Sequence, residues 1–186
     1  MEKQLSLNIY KGSHGGRRPD SGRKRKHSRG VSHRKREKIT QHLPCHINFK
    51  YRTFIRTETL LEHLILAIMK AQKHSFRVIH FSLQSNHVHL IAEAHNNAVL
   101  ETGMRSLTNS FVKRIARTKR MKGCIQLERY HLHLLRTPIE VENAISYVIN
   151  NHVRHTGHEK EDPYSSVVQS YFLDEGKSWF LKKARV

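Results

Sequence analysis

A polar turn between two apolar runs constrains this chain more than any other feature. Residues 77–83 alternate, with Ile79, Phe81 and Leu83 on one face. After Gln84–Asn86 the pattern resumes as His87-Val88-His89-Leu90-Ile91-Ala92-Glu93-Ala94. Residues i and i+2 of a strand point the same way. Val88, Leu90 and Ala92 therefore share one face, and His87, His89 and Ile91 the other. Two imidazoles project side by side from the start of one strand, a two-toothed ligand for a metal or a phosphate. With 16 histidines in 186 residues such a pair can arise by chance, and a second one, His131-Leu132-His133, does occur.

The flanking segments extend the pattern. Residues 44–51 alternate at Cys45, Ile47, Phe49 and Tyr51, a half-buried strand. Residues 57–74 carry Leu60, Leu61, Leu64, Ile65 and Ile68 at helical spacing, and residues 97–119 carry Leu100, Met104, Leu107, Phe111 and Ile115. Residues 130–136 read as a fourth strand, with Tyr130, Leu132 and Leu134 alternating against His131, His133 and Leu135. Thr137-Pro138-Ile139-Glu140 is a capping box with Pro at the first helical position. It opens a last helix expected to reach residue 155, with Val141, Ala144, Ile145 and Val148 on its apolar face. The order βαββαβ predicts an α+β, ferredoxin-like antiparallel sheet with two helices on one face. The other face, where His87 and His89 are placed, is left for ligand or for an additional C-terminal helix.

Charge separates the ends from this middle. The formal net charge is +19, and residues 11–38 hold 12 Lys/Arg against two acids, ten of those nineteen charges. That stretch has almost no apolar residue, so burial cannot offset its ordering entropy. Residues 1–42 are expected to form a basic arm lying along phosphates, through Arg17, Arg18, Arg23, Lys24, Arg25 and Lys26. Residues 43–157 form the domain, and 158–186 a tail packing on it. Lys113, Arg114, Arg117 and Arg120 crowd the end of the second helix more densely than its dipole needs, and Arg154 ends the last one; all are candidate DNA contacts. No segment approaches 18 apolar residues, no apolar leader opens the chain, and Cys45 and Cys124 match no zinc spacing. A cytoplasmic, nucleoid-associated protein is expected.

Tyr147 and Asn151 are four apart on the last helix and so share a face. A tyrosine hydroxyl, with an ordinary pKa of about 10, becomes a nucleophile once a cation or a base assists it. A divalent metal on His87 and His89 would also polarise a phosphodiester oxygen. The Asn151 carbonyl would be a third ligand from the helix that carries the tyrosine.

These residues carry a resemblance. Asn86-His87-Val88-His89-Leu90, Arg129-Tyr130-His131, Leu135-Arg136-Thr137-Pro138-Ile139-Glu140 and Tyr147-Val148-Ile149-Asn150-Asn151 resemble the single-tyrosine HUH transposases, in particular the REP-associated tyrosine transposase branch. The resemblance implies cleavage and joining of single-stranded DNA near hairpins through a 5′-phosphotyrosine link, with Mg²⁺ or Mn²⁺. It implies His87, His89 and Asn151 as metal ligands and Tyr147 as nucleophile. His152 stands where that family has proline, which is why the helix is expected to run long. Two imidazoles favour Mn²⁺ in affinity. Single-stranded DNA with hairpins is the expected partner of a monomer or homodimer, with no membrane contact. Two rivals are weaker. A single-strand or RNA-binding platform wants aromatics where this strand carries histidine. A two-histidine phosphoesterase wants Ser or Thr two residues after each histidine.

Overall fold

The structure, a computed structural model, describes residues 36–40, 43–51, 56–118, 128–151, 162–169, 173, 176 and 181–182. Its elements are β1 (Cys45–Lys50), α1 (Glu58–Ala71), β2 (Phe76–Leu83), β3 (His87–Ala94), α2 (Asn97–Thr118), β4 (His131–Leu134) and α3 (Pro138–Ile149). The four strands form one sheet in the order β2-β3-β1-β4, and every neighbouring pair is antiparallel. This is the expected ferredoxin-like α+β arrangement, with β3 and β1 at its centre.

Strand alternation builds the core on one face. Cys45, Ile47 and Phe49 of β1, Val88, Leu90 and Ala92 of β3, and Leu134 of β4 meet the apolar stripes of α1 and α2. Burying each large side chain of that set stabilises the fold by about 2 kcal/mol. The stripes predicted for the two helices are buried in full. α2 lies close on the start of β2, where a Cβ at Gly103 would come 2.4 Å from the Phe76 ring. Thr57 caps α1 by accepting the Leu60 N–H. Gln72, in extended backbone, ends it at Ala71, three residues before the expected end.

One strand departs from simple alternation. The β2–β3 register runs Val78↔Ala92 and then His80↔Ile91, so Ile79 is an extra residue in a bulge. Val78, Phe81 and Leu83 face the helices, and Ile79, expected there, is buried outside that cluster. The bulge turns Ser82, paired with His89, to the opposite face.

That opposite face is covered by α3. Ile91 and Leu135 pack with Val141, Ala144, Ile145 and Val148, the apolar face predicted for the last helix. Thr137 accepts the Glu140 N–H, and Glu140 in turn accepts the N–H of Arg136 at 2.6 Å. Proline at the first turn supplies the helical φ at no loss of a hydrogen bond. The regular helix runs to Ile149; Asn151 is again helical, and the expected end at residue 155 lies outside the described residues. Asn150 caps it with φ −92° and ψ 11°, its N–H donating to Ser146 O. Residues 152–160 lie outside the described residues.

The two flanks reach the domain at defined points. Ile39 is buried, and its N–H donates to Asn97 Oδ1 at 2.8 Å, so contact with the domain starts before residue 43. Residues 162–166 run along the outer side of β2: Leu83 N–H donates to Tyr164 O and Ser166 N–H to Phe81 O, each at 2.9 Å. They satisfy a strand edge that would otherwise template pairing with another chain. Asp162 is buried and ion-paired with Arg56, whose guanidinium lies 4.4 Å over the Tyr164 ring. Among the described residues, no helix is long and apolar enough to cross a membrane.

Candidate functional site

The site lies on the α3 face of the sheet, where the alternate residues of β1 and β3 point. His89 is buried, and His87, at the strand's start, is half-buried. Their ring centroids are 4.7 Å apart. β1 brings a third imidazole that sequence reasoning did not single out. His46 lies across from Ile91 in register, diagonal to His89. Its Nε2 is 3.0 Å from His89 Nδ1, and the rings stack with centroids 5.2 Å apart.

Tyr147 reaches this cluster from α3. Its ring meets the His89 ring edge-on at 5.3 Å between centroids and the His46 ring at 5.9 Å. Three imidazoles and one phenol thus form a single contact group drawn from three elements. The chain enters α3 at the Ala92 end of β3, because Leu134 pairs with Cys45 and Cys45 with Ala92. The helix therefore runs back towards His87. One turn past Tyr147 is a rise of about 6 Å, close to the span of about 6.6 Å between His89 and His87 along a strand. Asn151 follows at that point. Its side chain is fully buried, and among the described residues neither Nδ2 nor Oδ1 has a hydrogen-bond partner. A buried amide in that state costs about 1–3 kcal/mol unless something else engages it.

The ring nitrogens are sorted by their neighbours. His87 Nδ1 is 2.5 Å from Asn86 Oδ1, which can only accept, so Nδ1 carries the proton and Nε2 the lone pair. Burial, with the nearby His133 as a smaller contribution, lowers the His46 pKa from 6.5 to about 4. Neutral His46 either accepts from His89 Nδ1–H or donates to Nδ1; in the first arrangement His89 has the same tautomer as His87. Any metal would then be held through Nε2 of both rings. Among the described residues, no group of three His, Cys, Asp or Glu side chains converges as a metal site. Two imidazoles joined by the Asn151 amide would make a donor set that fits a divalent ion of borderline softness.

Around the cluster the face stays polar. Asn48 is paired in register with His89 on one side and His131 on the other, and its buried Oδ1 has no hydrogen-bond partner among the described residues. His131 and His133 are exposed on the same face of the edge strand β4. Alternation in residues 45–51 already placed His46 and Asn48 opposite the apolar set; that was the signal available in the sequence.

The other predicted residues fall elsewhere. Lys113, Arg114 and Arg117 lie on α2, in the layer behind the sheet, and are not part of the Tyr147 group. Tyr130, the next candidate nucleophile if Tyr147 were not the one, packs on the helix side with Arg36 over its ring. Arg17, Arg18, Arg23, Lys24, Arg25, Lys26, Arg120 and Arg154 lie outside the described residues.

Comparison with known structures bears on the fold. A REP-associated tyrosine transposase bound to a REP hairpin superposes with a TM-score of 0.57 at 17% identity, over 77% of this chain and 88% of that one. Two structures of a bacterial tRNA(His) guanylyltransferase-like protein, with GTP and with ATP, give TM-scores of 0.44 and 0.47. Their identities are 12% and 11%, over 58% and 64% of this chain and 61% and 63% of theirs. No protein-family model and no curated protein matches the chain. At such identities the first likeness is one of architecture: the sheet and helices here are arranged as in that transposase.

Proposed function

We propose that this chain is a metal-dependent single-stranded DNA nicking and joining enzyme with Tyr147 as nucleophile. The observation that carries the reading is the seating of Tyr147 against His89 and His46 on the face from which the H-x-H pair projects. The buried, unpartnered Asn151 amide one turn further supports it. So do the +19 charge and the shared architecture with a transposase whose structure holds a REP hairpin.

In this reading His87 and His89 hold Mg²⁺ or Mn²⁺ through Nε2, with the Asn151 carbonyl as third donor. Asn86 and His46 fix the two imidazole tautomers, as partners behind metal ligands do. The bound ion would supply Lewis-acid polarisation of a non-bridging phosphate oxygen and offset the charge that builds there. Tyr147 loses its phenolic proton and its Oη attacks the phosphorus. The bond from phosphorus to the 3′-oxygen breaks, that oxygen takes up a proton, and a 5′-phosphotyrosyl link remains. In the reverse sense another 3′-hydroxyl attacks the link and frees the tyrosine. One phosphodiester replaces another, so no external energy source is required. α3 couples nucleophile and third donor, since Tyr147 and Asn151 ride on one short element.

Covalent trapping tests this. Hairpin oligonucleotides with randomised single-stranded flanks are incubated with the full chain and Mn²⁺, then denatured. A protein–DNA adduct that needs metal and disappears in Tyr147→Phe and His87→Ala is expected. Tight binding of the pool with no adduct would instead establish a catalytically inactive single-strand DNA- or RNA-binding protein on this fold.

A further inference from the structure

A second polar feature lies on the far side of the sheet from Tyr147. A cavity of about 770 Å³ opens between residues 36–38, the first turns of α2 and the residues leading into β4. Arg36, Lys38 and Arg129 line it, with Tyr130, Leu100 and Glu101. The single carboxylate is already engaged: Glu101 accepts from Arg105 at 3.1 Å on the helix surface. Among the described residues, neither Arg36 nor Lys38 forms an ion pair with a carboxylate.

The cations are held in place. Asn97 accepts from the Ile39 N–H and donates to Glu37 O, each at 2.8 Å, which staples this segment to the start of α2. Arg36 donates to Tyr130 O at 3.0 Å, and its guanidinium carbon lies 3.5 Å over the Tyr130 ring. The Tyr130 hydroxyl is buried, and among the described residues it has no hydrogen bond of ordinary geometry, with the Arg36 guanidinium acting on it. Burial lowers the Arg36 pKa, and the like charge of Arg129 lowers it further. Glu101 opposes this shift only in part, so a further anion beside Arg36 is favourable.

We infer that this cavity is a phosphodiester-binding site for the nucleic acid on which Tyr147 acts, gripping the backbone on the side of the sheet opposite the reacting centre. The volume falls in the range of ligand pockets rather than of a lone oxyanion. Three cations along one cavity match successive phosphates, with the Tyr130 hydroxyl donating to one of their oxygens. β4 is the edge of the sheet, and its outward residues His131 and His133 are exposed on the Tyr147 face. A strand leaving the cavity crosses that edge to reach the site. The inference rests on the nucleic-acid reading given above, and names cations distinct from those the sequence suggested.

Binding of a labelled hairpin oligonucleotide to the full chain, followed by fluorescence anisotropy against salt, tests it. The pair Lys38→Gln/Arg129→Gln is compared with a control pair of equal charge on α1 and the turn after it, Lys70→Gln/Lys73→Gln. The cavity pair is expected to weaken binding roughly tenfold and to flatten the log–log salt dependence by about two; the control pair changes affinity by about twofold or less. Tyr130→Phe is expected to weaken binding several-fold with Tm changed little, since the ring that packs under Arg36 is kept. Equal effects of the two pairs would overturn the inference, as would a fall in Tm that accounts for the Tyr130→Phe loss. Binding of free dAMP that is lost in the cavity pair yet leaves hairpin affinity intact would also overturn it, assigning the cavity to a mononucleotide. Anisotropy reads binding alone, so a failure of the Tyr147 chemistry leaves this comparison standing.

Discussion

The two faces of one sheet differ more than any two domains of this size need to. On the helix side, Val88, Leu90 and Ala92 enter a continuous apolar core. On the α3 side, their neighbours His87, His89 and Glu93 meet His46, Ser82 and Arg77. The first face is closed by two helices of 14 and 22 residues, and the second by one of 12. Stability is therefore concentrated on one side, which leaves the other able to carry buried imidazoles and an unpartnered amide. The buried Arg77–Glu93 pair, at 2.6 Å, seals the end of the polar face away from His87. Losing either partner would strand a buried charge.

This division can be broken by substitution at two nearby positions of one strand. Leu90→Ala, on the core face, is expected to cost about 3 kcal/mol, read as a lowered denaturation midpoint with an unchanged slope. His87→Ala, three residues before it and half-exposed, is expected to shift that midpoint little while removing the adduct. Equal destabilisation by both would show that the faces are not separate in function.

Acid separates the faces next. His46 titrates near 4 when folded and 6.5 when unfolded, so the unfolded chain binds the extra proton first. Its contribution is complete above pH 6.5 and is lost as the pH falls towards 4. His80, on the same face and hydrogen-bonded with Ser166, is likewise lowered by burial and adds in the same direction. Stability of the metal-free protein is expected to fall by about 2 kcal/mol from pH 7 to pH 5 through His46. Urea titrations at the two pH values check this, and a His46→Leu protein should lose most of the dependence.

The same substitution sharpens the role of His46 at the site. Without an acceptor at His89 Nδ1, metal affinity is expected to drop about 10–100-fold, measured by Mn²⁺ electron paramagnetic resonance. In the metal-free protein, ¹⁵N chemical shifts of His89 should lose the Nδ1–H tautomer. His46→Gln, which retains an acceptor, should restore part of both. An unchanged tautomer in His46→Leu would remove His46 from the site.

The smallest expected effect is also the most diagnostic. Asn151→Leu should leave the metal-free protein as stable or up to about 1 kcal/mol more stable, because an unsatisfied buried amide is replaced by an apolar group. Metal should then stabilise the variant less than the native chain in thermal melts. Marked destabilisation without metal would mean that the amide has a structural partner instead.

Much of this was legible from local pattern. Period-two runs and helical stripes set six of the seven elements to within a few residues, and the capping box set the start of α3. The H-x-H pair and the i, i+4 relation of Tyr147 and Asn151 were equally local. These features depend only on residues close in the chain, through backbone sterics and side-chain direction.

The tertiary structure decided what depends on register. An extra residue at Ile79 reverses the faces of half of β2, and nothing in the alternation of 77–83 announces it. His46 and Asn48 become neighbours of His89 only because β1 pairs with β3 in one register; a slip of one residue would turn both into the core. The cavity beside Tyr130 brings together residues 36–38, 97–101 and 129–130, which no short-range pattern connects. By itself the sequence determined which side chains share a face. Packing determined which faces meet, because the contacts that choose among registers lie tens of residues apart and are made only when the whole sheet closes.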